Sequence, residues 1–361
     1  MKKAIIIALA LFTLAPAAQP KDKESITVTA VTADADAANN GLIYSLPQTV
    51  VTVRVTAELT ICKAGPYYKY SNKCLNLSNV ITEDSHSWRI VSAEIGSYGI
   101  ADATRRYKIS ATNTSLPQIA LTDDNILAAI NGDCPEARIK PCDVSPEIPE
   151  LNFDDVKLDK SVLTKTSTAA MAEEAALTIY RLREQRMSLL GGEDATVLND
   201  RGSYDRVLEE LEQLENDHLS LFVGKKITLR FVRYFELVPD VSGTSSSVLF
   251  RFSEQQGFLG AMDLNGKPVY IDVAFDKSTQ LSEYSATSKQ RQAEPADGLR
   301  YIMPGAMNVK VIDRNVLLAE ANMLCSQNGQ IVTLPATLLL DTDRQLLFNT
   351  TNGALRSINK K

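Results

Sequence analysis

The residues able to do chemistry are few, and their spacing suits it poorly. The chain holds two histidines and five cysteines in 361 residues. His86 lies in EDSHSW with Glu83, Asp84, Ser85 and Ser87, the residue types of a hydrolase triad. Neighbours in sequence cannot form one, because a triad needs side chains converging from separated positions. His218 falls on the apolar stripe of a helix and reads as a buried or half-buried structural residue. The sequence contains no GxSxG elbow, HExxH helix or phosphate-binding loop. Metal-ligand and calcium-loop spacings are missing too, so no metal or cofactor is expected. Carboxylates are plentiful, and glycosidase chemistry needs just two of them. The adjacent pairs Asp123–Asp124 and Asp154–Asp155 stand beside turns, where Asp caps or is solvated. Glu209, Glu210, Glu212 and Glu215 read as a solvated helix face.

Aromatic material is equally thin, with one Trp, and Trp88 sits in an alternating strand. GPYYKY carries Tyr67, Tyr68 and Tyr70, which read first as a short helix or turn whose rings close over a sheet edge and second as candidate ligand contacts. A net charge of −6 argues against a broad grip on nucleic acid or anionic lipid.

The cysteines become readable through the N-terminus. Lys2 and Lys3 precede an apolar run from Ala4 to Leu14, and Ala15 and Ala17 are spaced for cleavage. This predicts a signal peptide over 1–17, and a run too short for the roughly 20 residues of a membrane helix. No later apolar run is long enough to span. The expected location is the periplasm or cell envelope, with the surface open. In that oxidising setting, Cys62 with Cys74 and Cys134 with Cys142 are the economical disulfide pairs. Each would contribute roughly 2.5 to 3 kcal/mol by loop closure. Five thiols allow fifteen ways to form two bridges and leave one over, so connectivity stays open. Cys325 is left as a buried core thiol.

Positioning these residues requires mostly strands. GLIYSLPQTVVTVRVTAELTIC alternates over Val51, Val53 and Val55 and predicts a half-buried strand, followed by strands from Trp88 and Arg105. The segment 18–40 reads as flexible, with a short β-like stretch at Ile26 to Val31. Pro135, Pro141, Pro146 and Pro149 predict a linker over 132–164. Residues 165–223 then change to strong helix formers, an antiparallel helical hairpin with its turn near residue 197. That centre sets Arg181 opposite Glu212, Arg183 opposite Glu210, and Ala172 and Ala175 against Leu221 and His218. Strands resume over 224–277, a polar loop follows over 278–297, and further strands fill 298–361.

One motif recurs. GLIYSLP at Gly41 and GLRYIMP at Gly298 share Gly, Leu, Tyr and Pro, and each leads into a VxV strand. DATRRYKIS from Asp102 parallels DTDRQLLFN from Asp341, aligning Arg105 with Arg344. The fold class expected is α+β, predominantly antiparallel β: a first β module over 41–131 and a second over 224–361, which the recurrence marks as a candidate duplication, with the helical hairpin inserted between them.

GLIYSLPQTVVTVRV, GPYYKYSNKCL, ITEDSHSW, AALTIYRLREQRMSLL, VLFRFS, PVYIDV, GLRYIMPG and GALRSI together resemble a family of exported Bacteroides proteins described only as a domain of unknown function. The resemblance covers most of the mature chain and implies an envelope location without catalytic residues. Cys62 and Cys74 depart from the aromatic-rich, cysteine-free segment usual in that family. Taken together, the expectation is a non-enzymatic envelope module that binds a protein or a glycan, with no nucleic-acid partner and an open oligomeric state. A carboxylate-dependent hydrolase and a secreted adhesion module remain the alternatives.

Overall fold

Two long antiparallel strand pairs organise the molecule, and each is bent once so that it serves two cores. The structure, a computed structural model, describes residues 25–31, 41–134, 141–191, 201–240, 245–276 and 298–360. The signal segment 1–17, the hairpin turn near residue 197 and the polar loop 278–297 lie outside the described residues. In chain order the strands are β1 (Ser25–Ala30), β2 (Leu42–Lys63), β3 (Ser85–Thr112), β4 (Ile119–Leu121) and β5 (Leu127–Ile130). After the helices come β6 (Lys225–Leu237), β7 (Ser245–Ser253), β8 (Gly257–Leu259), β9 (Lys267–Phe275), β10 (Gly298–Asp313), β11 (Val316–Pro335), β12 (Arg344–Phe348) and β13 (Leu355–Lys360). The helices are α1 (Ser71–Leu75), α2 (Lys160–Leu163), α3 (Thr168–Gly191) and α4 (Arg201–Val223).

The first sheet has the order β1-β3-β2-β6, the second β11-β10-β9-β7-β8 and the third β13-β12-β5-β4. Strand alternation explains the first core. Val51, Val53, Val55 and Ala57 point from β2 onto Val269, Ile271 and Val273 of β9 and Met307, Val309 and Val311 of β10. Phe235 of β6 stacks on Phe250 of β7 with centroids 4.4 Å apart. Each fully buried Val or Ile there contributes roughly 1.5 to 3 kcal/mol. The second core joins Tyr44, Leu46 and Ile109 to Leu299, Ile302, Leu346 and Phe348. Both predicted β modules therefore contribute to the same two cores, and β6, grouped by sequence with the second module, pairs with β2 of the first.

The recurring motif marks the bend in each pair. Register breaks between Ser45 and Pro47 in β2, where four residues of β3, Asp102 to Arg105, are passed over. It breaks again between Met303 and Gly305 in β10, where four residues of β11, Ser326 to Gly329, are passed over. Proline supplies no N–H to the ladder, so the strand slips there and turns its side chains toward the second core. The second recurrence is local. Asp102 and Asp341 each pair with the arginine three residues on, at 3.4 and 2.7 Å. Yet Arg105 lies within β3, whereas Arg344 opens β12 in the third sheet.

Several expectations need correction. Within 18–40 the expected β-like stretch does form a strand, Ser25–Ala30, so this part of the segment read as flexible is instead held along the end of β3 by a continuous register. All five cysteines are free thiols, because each predicted pair is drawn to different neighbours. Cys62 is set in register between Ser85 and Lys226, while Cys74 packs with the helices. The Cys134 thiol donates to the Leu121 carbonyl, and Cys142 leads into a short bridge between Val144 and Val232 at the β6 edge. That bridge, and the burial of Val156 and Val162 in the third core, tie down much of the Pro-rich linker.

The third core is helical. Ala172, Ala175 and Ile179 of α3 pack with Leu221 and Phe222 of α4, with His218 buried beside them. The ion pairs differ from those predicted: Arg183 and Arg186 both reach Glu215, at 2.6 and 3.1 Å, and Arg181 turns to Glu174 at 3.9 Å. Glu215 is thus buried in the seam, not part of a solvated face, because long guanidinium arms reach a turn beyond the residues opposite them. Gly65 lets the β2 end approach α4; a Cβ there would stand 2.3 Å from the Leu221 carbonyl oxygen.

Candidate functional site

Strand alternation that buries Val51 to Ala57 sends the intervening residues of β2 to the opposite face of the first sheet. Register aligns them in rows across β3, β2 and β6: Ser87, Thr60 and Thr228; then Arg89, Glu58 and Arg230; then Ser92, Thr56 and Val232; then Glu94, Arg54 and Tyr234. Ser87, Arg89, Ser92, Glu94, Thr228 and Arg230 are all exposed, so this face is open to solvent.

Its centre is a carboxylate held between two guanidiniums. Arg89 donates from Nε and Nη2 to Glu58 Oε2 at 3.1 and 2.6 Å, and Arg230 donates from Nε to Oε1 at 2.9 Å. The arginine side chains are each 73% exposed and that of Glu58 is 6% exposed, so the carboxylate is covered by the guanidiniums themselves. Hydrogen bonds from Arg230 and then Arg89 hold its carboxyl below the usual range. A neighbouring pair, Arg54 and Glu94, closes at 3.0 Å.

The second sheet presents a contrasting surface. Lys310 of β10 stands in register between Asp272 of β9 and Glu320 of β11, and bonds Glu320 at 3.3 Å. The Lys310 row is rimmed by exposed leucines, Leu317 at 51% and Leu324 at 48%. Among the described residues β11 pairs with β10 alone, so its other edge carries no strand. Between Val316 and Leu324 that edge bears one charged residue, Glu320, and no proline or lysine. Such features are what normally protect an edge from pairing.

Where the two bent pairs meet, a buried polar knot replaces hydrophobic contact. Gln327 donates from Nε2 to the Thr49 carbonyl at 2.7 Å and accepts from the Thr49 N–H at 3.2 Å, standing in for a strand beyond the end of β6. Thr49 and Ser326 are fully buried and exchange further bonds at 2.9 to 3.0 Å. The Cys325 thiol is fully buried and donates to Gln327, and burial pushes its pKa up.

The residues singled out from sequence are not brought together. Tyr67 is buried against Phe222 at 5.6 Å, while Tyr68 and Tyr70 are half-buried. His86 is exposed, with Nε2 3.1 Å from the Gln255 carbonyl, and Asp84 beside it is taken by Lys63. Asp123, Asp124, Asp154 and Asp155 are exposed. Glu58 and Glu215 are the carboxylates buried most deeply among the described residues, and each is held by two arginines. Arg89, Glu58 and Arg230 went unremarked in sequence. The signal was present in TVRVTAELTIC, where Arg54 and Glu58 interrupt an apolar strand at positions of one parity.

Among the described residues no cluster of three or more His, Cys, Asp or Glu could hold a metal ion, and no helix is long and apolar enough to cross a membrane. By sequence, residues 40–356 match a family described as Domain of unknown function (DUF4831). A comparison with curated proteins gave no match, and a comparison with solved structures gave none.

Proposed function

We propose a function from the premise that the chain belongs to the DUF4831 family, a domain of unknown function. The protein is an exported cell-envelope module without chemistry of its own, and it binds another polypeptide by accepting a strand along β11. The observation that carries this reading is the open β11 edge flanked by exposed Leu317 and Leu324. Strand addition satisfies the edge N–H and C=O groups, and alternate side chains of the incoming strand cover the leucines. Export is supported by Lys2, Lys3 and the apolar run to Leu14.

The test is crosslinking in intact cells followed by purification of the full chain and mass spectrometry. Crosslinks from Val316–Leu324 to one recurring polypeptide, on a protein whose mature N-terminus follows residue 17, are expected. Crosslinks confined to other surfaces would overturn strand addition, and a retained N-terminus in the cytoplasmic fraction would overturn export.

A further inference from the structure

The open face of the first sheet carries a ligand site distinct from the β11 edge. We infer that Arg89 and Arg230 form a fork for an oxyanion carried on a glycan, with Glu58 as the strut that positions both. Glu58 occupies Nε and Nη2 of Arg89 and Nε of Arg230. Among the described residues the remaining Nη1 of Arg89 and both Nη groups of Arg230 have no partner, and both side chains are 73% exposed. The two strands stand either side of β2, so the guanidiniums are separated by about two strand spacings, roughly 10 Å between backbones. The free N–H donors stand exposed on either side of the covered carboxylate, where a sulfate or phosphate group can take one or two N–H bonds from each guanidinium.

Charge complementarity selects an anion. In a chain of net charge −6, the four rows from Ser87 to Glu94 hold three arginines against Glu58 and Glu94. The facing side of the molecule runs the other way, with Lys310 between Asp272 and Glu320. Hydroxyls select a sugar over a bare ion. Thr60, Thr228, Ser87, Thr56 and Ser92 flank the fork in adjacent rows, and the Tyr234 ring lies two rows on. An extended glycan can lie along such a flat face, its anionic group fixed by the arginines and its hydroxyls by the threonines and serines. The strut works by desolvation and orientation. It cancels one of two positive charges, which would otherwise repel across a short gap, and holds each guanidinium in a fixed plane. A ligand then binds a preorganised fork.

The experiment uses the full mature chain, isothermal titration and four probes: a sulfated uronic-acid hexasaccharide, its desulfated counterpart, inorganic sulfate, and vesicles carrying a phosphorylated glycolipid. The native chain is expected to bind the sulfated hexasaccharide about tenfold or more above the desulfated one, with affinity falling as salt rises. Arg89→Gln with Arg230→Gln should lose about 10- to 100-fold, one charge-assisted contact at each arginine. Arg89→Lys with Arg230→Lys keeps the charge but not the fork, and should lose less. It also guards against misfolding, since Glu58 stays paired. Lys310→Gln, on the other face, should change nothing. Vesicle binding that the Gln pair abolishes, without hexasaccharide binding, keeps the fork and assigns its oxyanion to a lipid headgroup. Equal binding by the Gln pair and the native chain, equal binding of the desulfated sugar, or no binding beyond that of inorganic sulfate would each overturn the site. Leu324→Lys leaves it untouched, so its failure and that of strand addition are separable.

Discussion

The β2–β3 and β10–β11 pairs are built alike inside and unlike outside. Each opens on the GLxYxxP motif, breaks register with one residue against four, and feeds apolar side chains to both sandwich cores. Their outward rows have opposite sense: a carboxylate between two guanidiniums on β2, and an ammonium between two carboxylates on β10. Inner faces must fit a shared, close-packed volume and tolerate little change. Outer faces meet solvent, so charge and apolarity there are free to follow whatever each surface binds.

The likeness itself can be broken at the motif tyrosines. Tyr44 is fully buried, accepts from the Arg300 N–H at 3.0 Å and donates to the Arg300 carbonyl at 3.1 Å, so the first motif is bonded directly to the second. Tyr301 is half-buried and rests near Phe348 at 6.3 Å. Tyr44→Phe removes both bonds and is expected to cost about 1 to 3 kcal/mol. Tyr301→Phe should stay within about 0.5 kcal/mol. Urea unfolding of the two variants measures the difference, and equal costs would mean that the motifs play equal parts. Burial also pushes the Tyr44 hydroxyl far above its ordinary range, so alkaline titration should leave it silent while the fold lasts.

A second effect separates the rows by acid. Glu58 is held below its ordinary value of 4.5 by Arg230 and Arg89. A depressed carboxylate contributes stability that is fully present above the unfolded value and is lost as pH falls through the lower folded one. Stability curves of the native chain and Glu58→Gln should therefore separate above about pH 4.5 and converge in stronger acid. Curves that stay parallel to the acid limit would show that the carboxylate does not bridge the two arginines in solution.

Much of the framework is legible because it is periodic. Alternation through Val51, Val53 and Val55 marks β2, and Ala169 to Leu190 reads as a helix without any tertiary knowledge. The repeated GLxYxxP was legible as a candidate duplication of a β module, whereas the bend it marks in each pair, and the return residues that bend passes over, were not. The candidate site was hidden for a different reason. Glu58 meets Arg89 across 31 residues and Arg230 across 172, and strand order alone brings them into one row. Gln327 is hidden likewise, since its bonds to Thr49 span 278 residues and complete no local pattern. Glu215 shows the limit of charge pairing by register: guanidinium reach moves its partners by about a turn. The cysteine pairs failed because sequence proximity says nothing about which neighbour each side chain faces.

The smallest effect on stability is the one that divides the two outer faces most sharply. Leu324 of β11 points outward in the Ala306 row and is half exposed, so lysine there breaks no core contact. Leu324→Lys should shift the unfolding free energy by no more than about 0.5 kcal/mol. On an incoming strand the same change is severe, because a lysine ammonium must be desolvated beside apolar side chains or turned away from them. Crosslinking between Val316–Leu324 and a partner polypeptide is therefore expected to disappear in this variant. Thr60→Lys is the control change on the first sheet: also outward, but on a strand flanked by β3 and β6, and beside the Arg89 row. It should leave crosslinking at β11 intact. If both variants lost it, the loss would come from general charge, and the β11 edge would have no special part in binding. If neither did, the exposed leucines of the second sheet would be ordinary surface.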